Sequence, residues 1–190
     1  MPGPSPFRVL ISTVLSTRTQ DPVTAAASAR LFERASEPAA LARLAPRAIE
    51  KLIYPVGFYH TKAALLPSLA RTLLERWDGQ VPSTLDELVC LPGVGRKVAN
   101  IVLSRGFGIP AVAVDTHVFR ISNRLGLVRT RTPEKTEERL RKVLPEPYWI
   151  EWNALLVAHG QTVCRPQNPL CDGCPVSRWC LRIGVARTRR

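Results

Sequence analysis

The sequence predicts an all-α protein. Apolar residues recur at helical spacing along nearly all of its 190 residues, and no segment alternates with period two for long enough to make a strand. Proline and glycine break the pattern at intervals suited to short helices. With 45% hydrophobic and 22% charged residues the chain has apolar material for one compact domain or two small ones sharing a core, and the composition excludes a disordered protein.

The elements follow in order. Residues 7–17 and 23–34 read as the first two helices, and residues 38–45 and 47–54 as two short ones divided by Pro46, after which Gly57 breaks the chain. Over residues 62–77, Leu65, Leu69 and Leu73 form a stripe with Arg71, Glu75 and Arg76 outside it, and Pro67 is expected to kink the helix or delay its start. Ser83-Thr84-Leu85-Asp86 is a capping signal ahead of Leu85, Leu88 and Val89, and the helix it opens must stop at Leu91-Pro92-Gly93-Val94-Gly95. Residues 96–105 place Val98, Ile101 and Val102 on one helical face. The chain turns at residues 106–110 and passes through Ala111-Val112-Ala113-Val114 to Asp115. Helices are then expected over residues 116–125, over 133–143 with Thr132 as cap and Pro133 in the first turn, and over 149–158.

Lys+Arg total 27 against 15 Asp+Glu, a formal charge of +12, so an acidic partner is expected. No uninterrupted apolar run approaches the ~20 residues that span a bilayer. Arg105 and Pro110 interrupt the best candidate, residues 101–114, and a soluble protein with no membrane partner is expected. The apolar stretch from Val9 to Leu15 is broken by Ser12 and Thr13 and lacks a clean cleavage site, which argues against a signal peptide. Of the five cysteines four crowd into the last part of the chain and Cys90 stands alone, unlike a disulfide framework.

In Leu91-Pro92-Gly93-Val94-Gly95-Arg96-Lys97, two glycines one residue apart between helices allow a tight turn that brings backbone N–H groups to the surface. Those groups stand at a helix start, where the macrodipole favours negative charge, so a phosphate is a fitting ligand; a plain interhelical turn is the alternative. This segment, continued by Val98-Ala99 and followed by Val114-Asp115-Thr116-His117-Val118-Phe119-Arg120, resembles the helix-hairpin-helix DNA glycosylases of the endonuclease III family, over about residues 6 to 185. The resemblance implies a six-helix barrel domain with the hairpin over residues 1–110. It also implies a helical domain carrying Asp115 and an iron–sulfur loop over residues 111–190. The hairpin residues Leu91, Gly93, Val94, Gly95 and Arg96 would hold the DNA backbone without reading sequence.

Only five of the 27 basic residues are lysines, so the chain uses arginine where positive charge alone suffices. A lysine differs in that it can lose its proton and act as a nucleophilic amine. Lys97 adjoins the stripe of Val98 and Ile101 near a helix start, and both desolvation and the dipole favour the neutral amine there. A phosphate contact is the other role open to it. Asp115 is the only carboxylate between Glu87 and Glu134, and it follows four small apolar residues at a helix start. It reads as an N-cap worth ~1 kcal/mol, a role compatible with catalysis. The resemblance makes Lys97 and Asp115 the catalytic pair of a bifunctional glycosylase and abasic-site lyase that removes oxidised pyrimidines from duplex DNA. His117 is read as a structural histidine.

Cys164, Cys171, Cys174 and Cys180 comprise one close pair and two outlying residues. Four thiolates suit zinc or an iron–sulfur cube, and the uneven spacing favours wrapping around the larger group. The resemblance implies a [4Fe-4S] cluster. Cys90, placed on the apolar side of its helix, is expected to be a small core residue.

Two positions depart from the family pattern. Arg18 stands where a polar residue, often glutamine, follows the first helix. Phe58 occupies the apolar position of the Gly-x-Tyr loop, and the resemblance implies that both enter the DNA stack when a base leaves. The chain also begins about one helix later than is usual in the family. The expected partner is duplex DNA with damaged bases or abasic sites, bound by a monomer in the cytoplasm, at the nucleoid if the source is bacterial. A weakly active or non-catalytic iron–sulfur DNA-binding protein, or a mismatch or adenine glycosylase relative, are the alternatives, although typical members of the latter lack a lysine at the Lys97 position.

Overall fold

The computed structural model describes residues 5–185, and among them there are helices and turns but no strand. The chain divides into two compact units, Met1–Ile109 and Pro110–Arg190.

The first unit contains α1 (Pro6–Ser16), α2 (Asp21–Arg34), α3 (Pro38–Arg43), α4 (Pro46–Ile53), α5 (Tyr59–Trp77), α6 (Leu85–Leu88) and α7 (Arg96–Ile101), the last continued by a π-helical turn, Val102–Gly106. Prolines at the start of α1, α3 and α4 supply a preset φ and lack only an N–H that the helix would leave unused. Helix α1 packs against α2, α5, α7 and the π turn, with Leu10, Ile11 and Leu15 fully buried. Helices α3 and α4 lie on α5, whose Leu66, Leu69 and Leu73 face this core. Gly106 makes the close approach of the π turn to α1 possible, since a Cβ there would sit 3.2 Å from the Pro6 Cα.

Three expectations need correction. Helix α5 starts at Tyr59 rather than residue 62 and runs through Pro67, which is itself buried. An interior proline costs about 3 kcal/mol, and burial of the leucines on both sides of it outweighs that cost. Helix α6 lasts a single turn, capped by Thr84. The Glu87 N–H donates to Thr84 Oγ1 at 3.3 Å and the Thr84 hydroxyl donates back to Glu87 Oε2 at 2.6 Å, while Trp77 Nε1 donates to Oε1 at 3.2 Å. The hydrogen bonds from Thr84 and then Trp77 hold this exposed carboxyl below its usual range. Because α6 ends at Leu88, Cys90 falls in the following turn and is exposed, its thiol donating to the Asp86 carbonyl at 3.2 Å. It is therefore not a core residue; Leu88 and Leu91 fill that role.

The second unit holds α8 (Thr116–Leu125), α9 (Pro133–Val143) and α10 (Trp149–Thr162). Helices α9 and α10 both pack on α8 around Val112, Val114, Val118, Ile121, Val128, Leu140 and Leu156. Thr132 caps α9, accepting from the Lys135 N–H at 3.3 Å, and Gly126 ends α8 at φ 85°. Helix α10 extends past the expected residue 158 and leads into the cysteine loop. Among the described residues no helix is long and apolar enough to cross a membrane.

Candidate nucleic-acid interface

The hairpin between α6 and α7 is built on two buried anchors. Leu91 and Val94 lie inside the unit, and the Val94 N–H donates to the Leu91 carbonyl at 3.1 Å. Their side chains hold the turn, so only their backbone is available to a ligand. Gly93 and Gly95 are exposed, yet they are glycine for different reasons. Gly93 has φ +73°, and a Cβ there would collide with the Leu65 side chain of α5. Gly95 has an extended backbone, φ −91°, and a Cβ there would meet nothing within 4 Å. It opens α7, where helix geometry directs N–H groups away from the helix body. Arg96 is exposed beside it and Lys97 is half-buried in the first turn.

In the second unit Asp115 is the N-cap of α8. Its Oδ1 accepts from the His117 N–H at 2.9 Å and the Val118 N–H at 2.8 Å, so the cap uses one carboxylate oxygen. The carboxylate is only partly buried. His117 is tied to its own helix, its Nδ1 3.2 Å from Arg120 Nη2.

Arg18 and Phe58 share one exposed feature of the first unit. Both adopt left-handed backbones, at φ 53° and 57°. The Arg18 guanidinium carbon lies 5.4 Å from the centre of the Phe58 ring, a cation–π arrangement, and Phe58 is 60% exposed. Their loops are joined: the Gly57 N–H donates to Thr19 Oγ1 at 3.1 Å, and a Cβ on Gly57 would collide with the Arg18 carbonyl. Beneath them Lys62 is only 6% exposed, and its Nζ donates to the carbonyls of Leu15 at 2.8 Å and Thr17 at 2.6 Å. Burial brings this amine down to about 8. Sequence reasoning passes over Lys62; the signal present was a lysine, in a chain that prefers arginine, ahead of Ala63-Ala64-Leu65-Leu66.

Cys164, Cys171, Cys174 and Cys180 line one pocket, with Ile121, Arg124, Leu125 and His159 among its other walls. All four are free thiols. Donors face two of the sulfurs: Arg124 Nη1 reaches Cys164 Sγ at 3.5 Å and the Arg182 N–H reaches Cys180 Sγ at 3.4 Å; His159 Nε2 stands 3.7 Å from Cys174 Sγ, as donor or acceptor according to its tautomer. Donors of this kind stabilise thiolates. Arg124 also closes the loop by donating to the carbonyls of Arg165 at 2.6 Å and Pro166 at 2.8 Å. Arg120 donates to the Cys164 carbonyl at 2.9 Å; burial, with Arg124 alongside, lowers its guanidinium from the ordinary value. Among the described residues no group of three or more His, Cys, Asp or Glu is placed to hold a metal ion. What the thiols share is a pocket.

Residues 11–146 match the HhH-GPD superfamily of base excision DNA repair proteins, more than half of the chain. The chain belongs to this superfamily. It is 54% identical over 175 residues to Endonuclease III of Thermotoga maritima, covering 92% of this chain and 82% of that one. It is 38% identical over 176 residues to Endonuclease III of Escherichia coli K12, covering 93% and 83%. Among solved structures a trapped Endonuclease III–DNA covalent intermediate superposes with a TM-score of 0.88 at 37% identity, over 94% of this chain and 84% of that chain. A non-covalent Endonuclease III–DNA complex superposes equally well, with a TM-score of 0.88. The superfamily and these relatives support a DNA glycosylase/lyase role.

Within this HhH-GPD chain the expected residues fall into four places. Leu91, Gly93, Val94, Gly95, Arg96 and Lys97 sit on the hairpin and the start of α7, and Arg18 and Phe58 on the paired loops. Asp115 caps α8, and the four cysteines line the pocket of the second unit. Helix α5 connects two of these places, since Phe58 is its N-cap and its Leu65 fills the space Gly93 leaves.

Proposed function

We propose that this chain excises oxidised pyrimidines from duplex DNA and then nicks the strand at the abasic site, with Lys97 as nucleophile and Asp115 as its catalytic partner. The observation that carries this reading is the hairpin itself: buried Leu91 and Val94 fix a glycine turn that opens toward a ligand and delivers a half-buried lysine in the next helical turn. The relative solved as a covalent intermediate with DNA supports a nucleophilic mechanism.

A base must leave the stack before C1′ of its sugar can be reached. The neutral Lys97 amine attacks C1′, a C–N bond forms, and the glycosidic bond breaks with its electrons on the departing base. Asp115 receives the proton lost by the amine and offsets positive charge that develops on the sugar. Asp115 returns that proton to O4′ as the sugar ring opens, which gives a protonated Schiff base and restores the carboxylate. Loss of a proton from C2′ then expels the 3′ phosphate by β-elimination, and water hydrolyses the imine to free Lys97. Gly93, Gly95 and Arg96 hold the phosphate backbone, and Arg18 with Phe58 occupies the space the base vacates.

We infer that Cys164, Cys171, Cys174 and Cys180 hold a [4Fe-4S] cluster, a reading supported by their shared pocket and its thiolate-stabilising donors. When bound, the cluster supplies a cross-link across residues 164–180. We place the chain as a monomer in the cytoplasm, at the nucleoid if the source is bacterial.

Incision of a panel of duplexes, each with one lesion, tests the reading. The protein is expected to cut oxidised pyrimidine and abasic duplexes and leave undamaged DNA intact. Lys97→Ala should lower incision at least about a thousandfold while retaining binding. Normal incision by that variant would refute the assignment.

A further inference from the structure

We propose that Lys62 is a positioning residue that locks Arg18 and Phe58 into a single rigid tip for insertion into damaged DNA. The inference rests on the functional reading above and adds a residue to it.

Helix α1 has no basic residue in its last turn, although its terminal carbonyls carry partial negative charge. The cation comes instead from α5. Lys62 Nζ donates to the carbonyls of Leu15 and Thr17 at the end of α1, directly before Arg18. The same residue's backbone N–H donates to the Phe58 carbonyl at 3.0 Å, the first hydrogen bond of α5. One residue thus fixes the chain on the inner side of both tips. The Thr19 to Gly57 hydrogen bond and the missing Cβ of Gly57 close the gap between them.

This arrangement has a mechanical meaning. Arg18 and Phe58 both hold the left-handed conformation, which is strained for non-glycine residues. Such strain persists only where the surroundings dictate it. Without the Lys62 bridge the carbonyls of Leu15 and Thr17 lose their donor, and the tips relax independently. An exposed aromatic ring under a guanidinium is a stacking surface for a base, and it acts as a wedge only if it does not yield when pressed into the stack. A buried lysine needs this explanation, since a leucine would fill the same space without desolvating an amine. An amine keeps at least two N–H donors in either protonation state, so the bridge serves both carbonyls throughout.

The test places 2-aminopurine opposite a stable abasic-site analogue and follows its fluorescence, which rises when the base is unstacked. The wild-type protein is expected to raise the signal, and Lys62→Met to lose most of it. On a cleavable abasic duplex Lys62→Met should lower kcat about tenfold with KM little changed. Lys62→Arg, which restores two donors, should recover most of both. In an Arg18→Ala/Phe58→Ala background Lys62→Met should cause no further loss of signal, because the tips through which it acts are gone. Circular dichroism establishes folding; if Lys62→Met does not fold, Lys62→Leu, which likewise lacks a donor, takes its place and must show the same loss. A wild-type signal and kcat in the folded variant, or an equal loss without the tips, would overturn the inference and leave the functional reading standing. A wild-type protein that neither raises the signal nor cuts the abasic strand would overturn both.

Discussion

Gly93 and Gly95 stand two positions apart in one turn and answer to different masters. Gly93 is required by the protein: its positive φ and its contact with Leu65 leave no place for a Cβ. Gly95 is not required by the protein, since a side chain there would enter open space. Its smallness fits the close approach of the DNA backbone that we propose for the hairpin. Gly93→Ala is expected to destabilise the fold by about 1–3 kcal/mol through strain and overpacking. Gly95→Ala should leave the melting temperature unchanged and weaken binding to duplex DNA at low salt. Thermal unfolding and a binding titration on both variants check this division. Loss of stability at Gly95 would contradict it. The cap of Asp115 occupies only Oδ1, which leaves its second oxygen for the catalytic role we propose.

At the scale of elements the sequence carries much of the fold. Pro38, Pro46 and Pro133 each mark a helix start, and Asp115 and Thr132 each mark a cap, because these features depend on a few neighbouring residues. Pro67 misleads for the complementary reason: local chemistry argues for a break, while the burial of Leu66 and Leu69 comes from distant helices. The length of α6, the exposure of Cys90 and the π turn after α7 are also set by packing. The pairing of Arg18 with Phe58 and the bridging role of Lys62 join segments far apart in sequence, so no local pattern announces them. The cysteine loop is the element whose ligand can be tested directly. Cys171→Ser and Cys174→Ser are expected to lose the broad visible absorbance of an iron–sulfur group and its bound iron, and to melt at lower temperature. Retention of iron and colour in both would remove these cysteines from the ligand set.

For the whole molecule the charge of +12 and the motif order are legible in the sequence; the charge points to an acidic partner and the motif order to a DNA repair enzyme. The proposed catalytic pair is divided between the two units, Lys97 in the first and Asp115 in the second. The nucleophile is the claim on which the rest depends. Incubation with a duplex containing an abasic site, reduction with borohydride, proteolysis and mass spectrometry identify the residue joined to the sugar. The adduct is predicted on Lys97 and should vanish in Lys97→Ala; an adduct on Lys62 or the terminal amine, or an undiminished yield in that variant, would contradict the mechanism.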